Sequence, residues 1–379
     1  MAWSSQRYIA LGLAEGRDPD VVARAASQID RFVGNPLQLP ALLSLNHLAV
    51  RSGADYRVLR RLVSRTENAP YQHFRIRKRS GGHRTISVPE PTLMMVQRWI
   101  ATHILNNVPA SKYAYAFMPK GSILKCAARH CGARWLIKMD VSSFFSSISE
   151  IDVYRVFRSM GYEPLISLEL ARLTTLPPLE AGRWREPAWR SRRRVGPIAT
   201  YHQDFMGFLP QGAPTSPMLS NLVMLEIDEQ IASIARASGL EFTRYSDDIS
   251  FSTRGEFSRS NARSVILETS SVLRRTGLHV NQKKTVVIPP GARKIVLGLL
   301  VDGVEPVLTR DFRGTLRQHL YYLERHGPLD HASRRGFDSV WGLYRHVRGL
   351  IDFANMIDPK YAAGMLARLD AVSWPIVSL

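Results

Sequence analysis

Apolar and polar positions follow two rhythms along this chain. Val21, Val22, Ala25, Ile29 and Phe32 recur at helical spacing, and residues 1–66 are predicted to be helical. In YQHFRIRKRSGGHRTISVP, residues 71–89, apolar and basic residues alternate on both sides of Ser80-Gly81-Gly82, which predicts a β-hairpin. A helical stretch from about Pro91 to Asn107 follows. WLIKMDVSSFF, residues 135–145, predicts a buried strand carrying one carboxylate outward. Residues 175–210 break the pattern with Pro177, Pro178, Pro187, Pro197 and a basic run, predicting a long loop or insertion. The helical rhythm returns from Ser216 to Ala237. FTRYSDDISFS, residues 242–252, predicts strand–turn–strand, and a helix at about 258–276 leads to strands at 284–288 and 294–301. The remainder is mostly helical, most strongly in LRQHLYYLERHG and WGLYRHVRGLIDFANMI. Helices, a basic hairpin, a mixed centre and a helical end predict an α+β fold.

Composition narrows the class. A chain of 379 residues suggests two or three packed units, and 45% hydrophobic residues exclude a mainly disordered protein. No apolar stretch approaches the roughly 18 residues that cross a bilayer, and MAWSSQRYIALGLAEGRDPD meets acidic residues too early for a signal peptide. Two cysteines exclude a disulfide scaffold and fit a reducing cytosol, so a cytoplasmic location is expected. There are 51 Lys+Arg against 32 Asp+Glu, a net charge of +19, which points to a polyanionic partner. Nucleic acid is the default. Membrane surface is the rival, and no compact basic amphipathic helix supports it.

The sharpest chemistry lies in Tyr245-Ser246-Asp247-Asp248. Adjacent carboxylates between apolar strand residues repel unless a cation or a proton relieves them. An exposed Asp-Asp turn is the plain alternative, weakened by a second strand, Ile137-Lys138-Met139-Asp140, that also ends in a carboxylate. Asp140, Asp247 and Asp248 on neighbouring strands would hold two Mg²⁺ ions roughly 3.5–4 Å apart for in-line displacement at phosphorus. Between these strands, LPQGAPTSP at 209–217 combines a Pro/Gly-fixed turn with short hydrogen-bonding groups at a helix start, a surface suited to a base pair and its sugar. Cys126, His130 and Cys131 suggest zinc, but a structural site needs four ligands and no nearby fourth has suitable spacing, so buried or incidental thiols are expected. Arg183, Trp184, Arg185, Trp189, Arg190, Arg192, Arg193 and Arg194 cluster in twelve residues, pairing phosphate-binding guanidinium groups with rings that stack on unpaired bases. Docking onto a partner protein is the rival reading of that segment.

The succession IKMDVSSFF, LPQGAPTSPMLSNL, YSDDISFS, GLHVNQKKT and VLGL resembles the bacterial retron-type and defence-associated reverse transcriptases, over about residues 55–360. The resemblance implies a right-hand polymerase: an N-terminal helical region at 1–66, fingers at 67–134, a palm at 135–303 with a basic loop inserted at 175–208, and a helical thumb at 304–379. It implies that Asp140, Asp247 and Asp248 bind metal. Phe145 would reject a 2′-hydroxyl, Gln211 would contact the incoming nucleotide, and Lys78 and Arg84 would clamp its triphosphate. Lys284 would protonate pyrophosphate. The Val296–Leu299 turn with Gly298 would grip the primer. Arg313, Arg317, Arg325, Arg345 and Arg348 would line the thumb along the template–primer duplex, some of them being ordinary surface charges.

The implied activity is RNA-directed DNA synthesis from dNTPs on a dedicated structured noncoding RNA, in antiviral defence, with an effector protein or a homo-oligomer as further partners. Template-independent or protein-primed DNA synthesis, and a non-catalytic RNA-binding scaffold, are the alternatives. The intact carboxylate set argues against the scaffold. The sequence departs from the retron pattern twice. No Asn-Ala-x-x-His element lies between Ile148 and Leu209, and Val296-Leu297-Gly298 replaces Val-Thr-Gly. Both elements accompany a retron's own RNA, so the wider set of defence reverse transcriptases stays open at this point.

Overall fold

A computed structural model describes residues 3–65, 70–77, 81–119, 121–177 and 206–375. Four helices open the chain: α1 (Ser5–Ala14), α2 (Pro19–Val33), α3 (Leu45–Ser52) and α4 (Tyr56–Ser64). Their starts follow local chemistry. Asp18, Ser44 and Asp55 accept the first free backbone N–H groups, and Pro19 pre-sets φ at the start of α2. Their inner faces (Phe32, Leu45, Leu48, Leu59 and Val63) share one apolar cluster with the central sheet.

Next come the hairpin strands β1 (Tyr71–Arg77) and β2 (His83–Pro89), then α5 (Pro91–His103) and α6 (Ile123–Ala128). The centre is built from β3 (Trp135–Asp140), α7 (Phe144–Ser147), α8 (Glu150–Ser159), α9 (Pro164–Thr174), α10 (Ser216–Val223) and α11 (Leu225–Ala237). It continues with β4 (Glu241–Tyr245), β5 (Asp248–Thr253), α12 (Arg259–Arg275) and β6 (Val286–Ile288). The four strands form an antiparallel sheet ordered β4–β5–β3–β6. Strand alternation puts Ile137, Met139, Phe242, Ile249 and Phe251 on one face, buried with Ile231 of α11 and Val265 of α12. Each such fully buried side chain stabilises the fold by about 1.5–3 kcal/mol. The opposite face carries Lys138, Asp140, Tyr245 and Asp248.

A small sheet of β7 (Ile295–Val296), β8 (Leu299–Leu300) and β9 (Val307–Leu308) leads into α13 (Arg310–Arg335), α14 (Val340–Asn355) and α15 (Pro359–Asp370). These enclose a second apolar cluster with Leu316, Leu320, Leu343, Val347 and Ile351, which also takes in Leu136 from β3. α13 breaks at Gly327 (φ 77°) followed by Pro328. The α+β class and the mixed, antiparallel centre match the expectation from the sequence pattern. Among the described residues, no helix is long and apolar enough to cross a membrane.

Several element boundaries differ from the sequence reading. The strand predicted over 135–145 stops at Asp140, because Ser143 turns left-handed (φ 49°) and Phe144 starts α7. The helix predicted over 216–237 divides at Met224, where ψ is −4°. The strand predicted at 294–301 is a hairpin: Leu297 (φ 50°) and Gly298 (φ 85°) supply the two positive φ values of a primed two-residue turn. Only residues 286–288 of the strand predicted at 284–288 pair in the sheet, and Lys284 sits in a 3₁₀ turn.

Candidate active site

The three aspartates meet through backbone register. Asp140 at the end of β3 is directly opposite Asp248 at the start of β5, and Ser246-Asp247 forms the two-residue turn between β4 and β5. The N–H of Val141 donates to the carbonyl of Asp247 at 3.0 Å, and the N–H of Asn281 donates to the carbonyl of Asp140 at 2.7 Å. Three distant segments are thereby stitched into one edge. Asn281 also anchors the turn of Lys284: its carbonyl accepts from the N–H groups of Lys284 and Thr285, both at 3.1 Å. That turn aims Lys284 so that its Nζ lies 2.7 Å from Asp140 Oδ2.

Burial raises the Asp248 carboxyl to about 6, and the neighbouring charge of Asp247 adds to the rise. Lys138 and Lys284 oppose this shift and lose. Asp247 is also raised, again mainly by burial. Lys284 is held above its ordinary value, chiefly by its hydrogen bond to Asp140. The edge therefore holds carboxylates under a burial penalty, which a bound cation would relieve. A donor set of carboxylate oxygens alone suits a hard divalent cation. Among the described residues, no three His, Cys, Asp or Glu side chains are gathered closely enough to enclose an ion as they stand. Asp140 is instead engaged by Lys284. The fit is thus one of donor chemistry and charge, with the Lys284 ammonium standing where a cation is wanted.

Two of the predicted nucleotide-contacting residues, Arg84 and Gln211, lie on segments that touch. The N–H of Ser87 on β2 donates to the carbonyl of Gln211 at 2.6 Å. Gly212 has φ 113°, and a Cβ there would lie 2.8 Å from Ile86 Cγ2 and 2.9 Å from the Ser87 carbonyl, so glycine lets the loop close on the hairpin. Arg84 is exposed opposite Ile76, on the hairpin face that also carries Ile86 and so faces the loop. Phe144 is buried, whereas Phe145 is half-buried with its ring centroid 6.1 Å from that of Phe117. Lys78 lies outside the described residues. So does the whole Arg/Trp segment of Arg183, Trp184, Arg185, Trp189, Arg190, Arg192, Arg193 and Arg194.

The thumb residues divide. Gly298 is exposed at the tip of the β7–β8 turn, and Arg317, Arg325 and Arg345 are exposed on their helices. Arg313 is drawn inward: its Nη2 donates to Asp358 at 2.8 Å and its guanidinium lies 4.6 Å from the Tyr361 ring centre, tying α13 to α15. Arg348 pairs with Asp352 of its own helix at 3.0 Å.

Two buried polar groupings flank the β4–β5 hairpin; the first takes in Cys126 and His130, weighed above as zinc ligands, and the second was not among the sequence candidates. His130 joins Thr243 and Ser252, both at 2.7 Å, and Cys126 donates to Thr243 at 3.3 Å. Burial lowers His130 to about 4, so this cluster braces β4 against β5 as a neutral imidazole. Both cysteines are free and buried. The second grouping centres on Arg244, fully buried on the apolar face beneath the turn. Its signal in the sequence is a charge in phase with Phe242, which demands a buried partner.

Residues 76–298 match the family model described as reverse transcriptase (RNA-dependent DNA polymerase). Retron Mx65 reverse transcriptase of Myxococcus xanthus is 30% identical, covering 87% of this chain and 72% of that protein. Retron Ec86 reverse transcriptase of Escherichia coli is 26% identical, covering 89% and 92%. Retron Mx162 reverse transcriptase of Myxococcus xanthus is 30% identical over 79% of this chain, which spans only 60% of that longer protein. Telomerase from Candida albicans, in complex with a TWJ fragment of telomeric RNA, aligns at 12% identity with a TM-score of 0.41, covering 80% of this chain and 56% of that one. The chain belongs to the reverse transcriptase family, the RNA-dependent DNA polymerases, and within it to the retron type. Polymerases of this family generally use divalent metal ions.

Proposed function

We propose that this chain copies a dedicated structured noncoding RNA into DNA from dNTPs, using two Mg²⁺ ions held by Asp140, Asp247 and Asp248. The observation that carries this reading is the register of Asp140 opposite Asp248, with Asp247 in the adjoining turn and the carboxylates largely buried. The ions would lower the pKa of the attacking 3′-hydroxyl and neutralise the leaving pyrophosphate. The chain's own residues do the rest. Arg84, with Lys78, would pair with the triphosphate through charge-assisted bonds, Gln211 would border the base pair, and Phe145 would press on the sugar. Lys284 would be freed from Asp140 as a cation takes its place, and its ammonium would then protonate the pyrophosphate.

The fingers at 67–134, the palm at 135–303, the thumb at 304–379 and the helical region at 1–66 would enclose the template–primer. Gly298, Arg317, Arg325 and Arg345 would lie along it. The Arg/Trp segment 183–194 would contact the RNA. We assign the activity to the cytoplasm and to antiviral defence, with an effector protein or further copies of the chain as partners. Sequencing the nucleic acids that co-purify with the chain tests this. A single structured RNA joined to complementary DNA through a 2′–5′ branch is the expected result. DNA unrelated to any bound RNA, or attached to protein, would contradict it.

A further inference from the structure

We propose that Arg244 is a positioning residue of the active site, acting through Asp228 and Asn221 to fix the turn that carries Asp247 and Asp248. The inference rests on the reading of those aspartates as metal ligands. Arg244 Nε and Nη2 donate to the two carboxylate oxygens of Asp228 at 2.7 and 2.8 Å, and Nη1 donates to Asn221 Oδ1 at 3.1 Å. Nη1 also reaches the carbonyl of Ser246 at 3.1 Å. Arg244 and Asp228 are both fully buried, so water does not compete for these bonds.

The Ser246 carbonyl is the important contact. It belongs to the peptide group that leads into Asp247, and Ser246 is held left-handed at φ 59°, a conformation L residues adopt only when surroundings enforce it. The buried guanidinium supplies that enforcement from below. Asn221 extends the grip: its Nδ2 donates to the Ala116 carbonyl at 2.8 Å, while the Arg244 backbone exchanges bonds with Tyr113 and Tyr115 at 2.8 and 2.9 Å. Segment 113–116 runs directly into Phe117, the ring beside Phe145. One planar guanidinium thus spaces the carboxylate turn from the wall of the sugar site. A lysine would keep the charge but present its donors from a single point, losing the fork.

The test is Mn²⁺ binding to the full chain, followed by electron paramagnetic resonance of the free ion, alongside amide exchange of residues 245–248. Folded Arg244→Lys should bind Mn²⁺ about tenfold more weakly, since one charge-assisted contact is worth about a decade. Its turn amides should exchange faster, and its preference for dNTP over NTP should fall. A merely structural role would lower the melting temperature while leaving Mn²⁺ affinity and sugar preference of the folded protein at wild-type values, and that result would overturn the proposal. Should Arg244→Lys fail to fold, Asn221→Ala keeps the ion pair intact and should show the same shifts at smaller size; wild-type values in it would also overturn the proposal. Asp247→Asn in the same titration isolates the underlying reading. If it binds Mn²⁺ as tightly as wild type, the carboxylates are not the ligands and the proposal falls with them.

Discussion

The ammonium of Lys284 lies 2.7 Å from Oδ2 of Asp140, joining residues 144 positions apart in the chain. A lysine held this way stays protonated through neutral pH, as its raised pKa requires. Replacing it removes both the counter-ion of Asp140 and the acid proposed for pyrophosphate departure. Lys284→Ala should slow single-turnover incorporation by about 10²–10⁴-fold, the usual worth of a general acid. Lys284→Arg should restore the pairing but little of the rate, because a guanidinium gives up its proton far less readily. Pre-steady-state kinetics on both variants separates the two roles.

Asp248 gives a pH dependence with a defined sign. Its folded pKa is raised from 3.8 to about 6, so the metal-free fold is favoured by protonation and loses that contribution as pH rises through about 6. Cation binding must run the other way, tightening between pH 5 and 7 and levelling above. Mn²⁺ titrations across that range check it. Asp248→Asn removes the buried charge and its repulsion and should stabilise the metal-free chain at pH 7 by on the order of 1 kcal/mol after allowing for solvent screening, while reducing the pH dependence of binding to the part carried by Asp247. Thermal melting without divalent ions measures the first effect.

Phe145 is half-buried beside Phe117, on the helix that begins immediately after the Asp140 strand. Its expected role is steric, so Phe145→Ala should act on selectivity more than on speed. The ratio of kcat/KM for dCTP over CTP should drop by about two orders of magnitude, as a buried clash is relieved. Phe144→Ala, which opens the core instead, should lower the melting temperature and leave that ratio near its wild-type value.

Glu150 joins α4, α8, α9 and the segment that begins at Met206. Fully buried, it pairs with Arg65 and with Arg172 (3.3 Å), and it accepts from the Gly207 N–H at 3.2 Å. Beside it, Leu176 and Phe208 exchange backbone bonds at 2.8 and 3.0 Å. Glu150→Ala takes the shared carboxylate from the buried Arg65 and the partly buried Arg172 and should cost about 3–5 kcal/mol. Urea unfolding measures it, with Glu150→Gln expected to recover part of the loss.

Much of the site is legible in the sequence because its residues sit in short, constrained strings. Asp247 and Asp248 are adjacent, and Asp140 ends an apolar strand, so the chemistry of a crowded carboxylate edge needs no tertiary information. Arg244 was not legible in the same way. Its partners Asp228 and Asn221 lie on two separate helices, and only the fold brings them beneath the turn. Leu297 reads as a strand residue by hydropathy, yet local backbone geometry makes it half of a turn. Arg313 looks like one more surface cation until Asp358 and Tyr361 are seen to claim it. Charge counts alone do not say which cations face solvent.

The most direct test of the account is primer extension on a defined RNA template, with the products sequenced, for wild type and Asp247→Asn. Wild type should yield DNA complementary to the supplied RNA, dependent on a divalent cation, and Asp247→Asn should yield none. Undiminished incorporation by Asp247→Asn, or wild-type product whose sequence ignores the template, would contradict it.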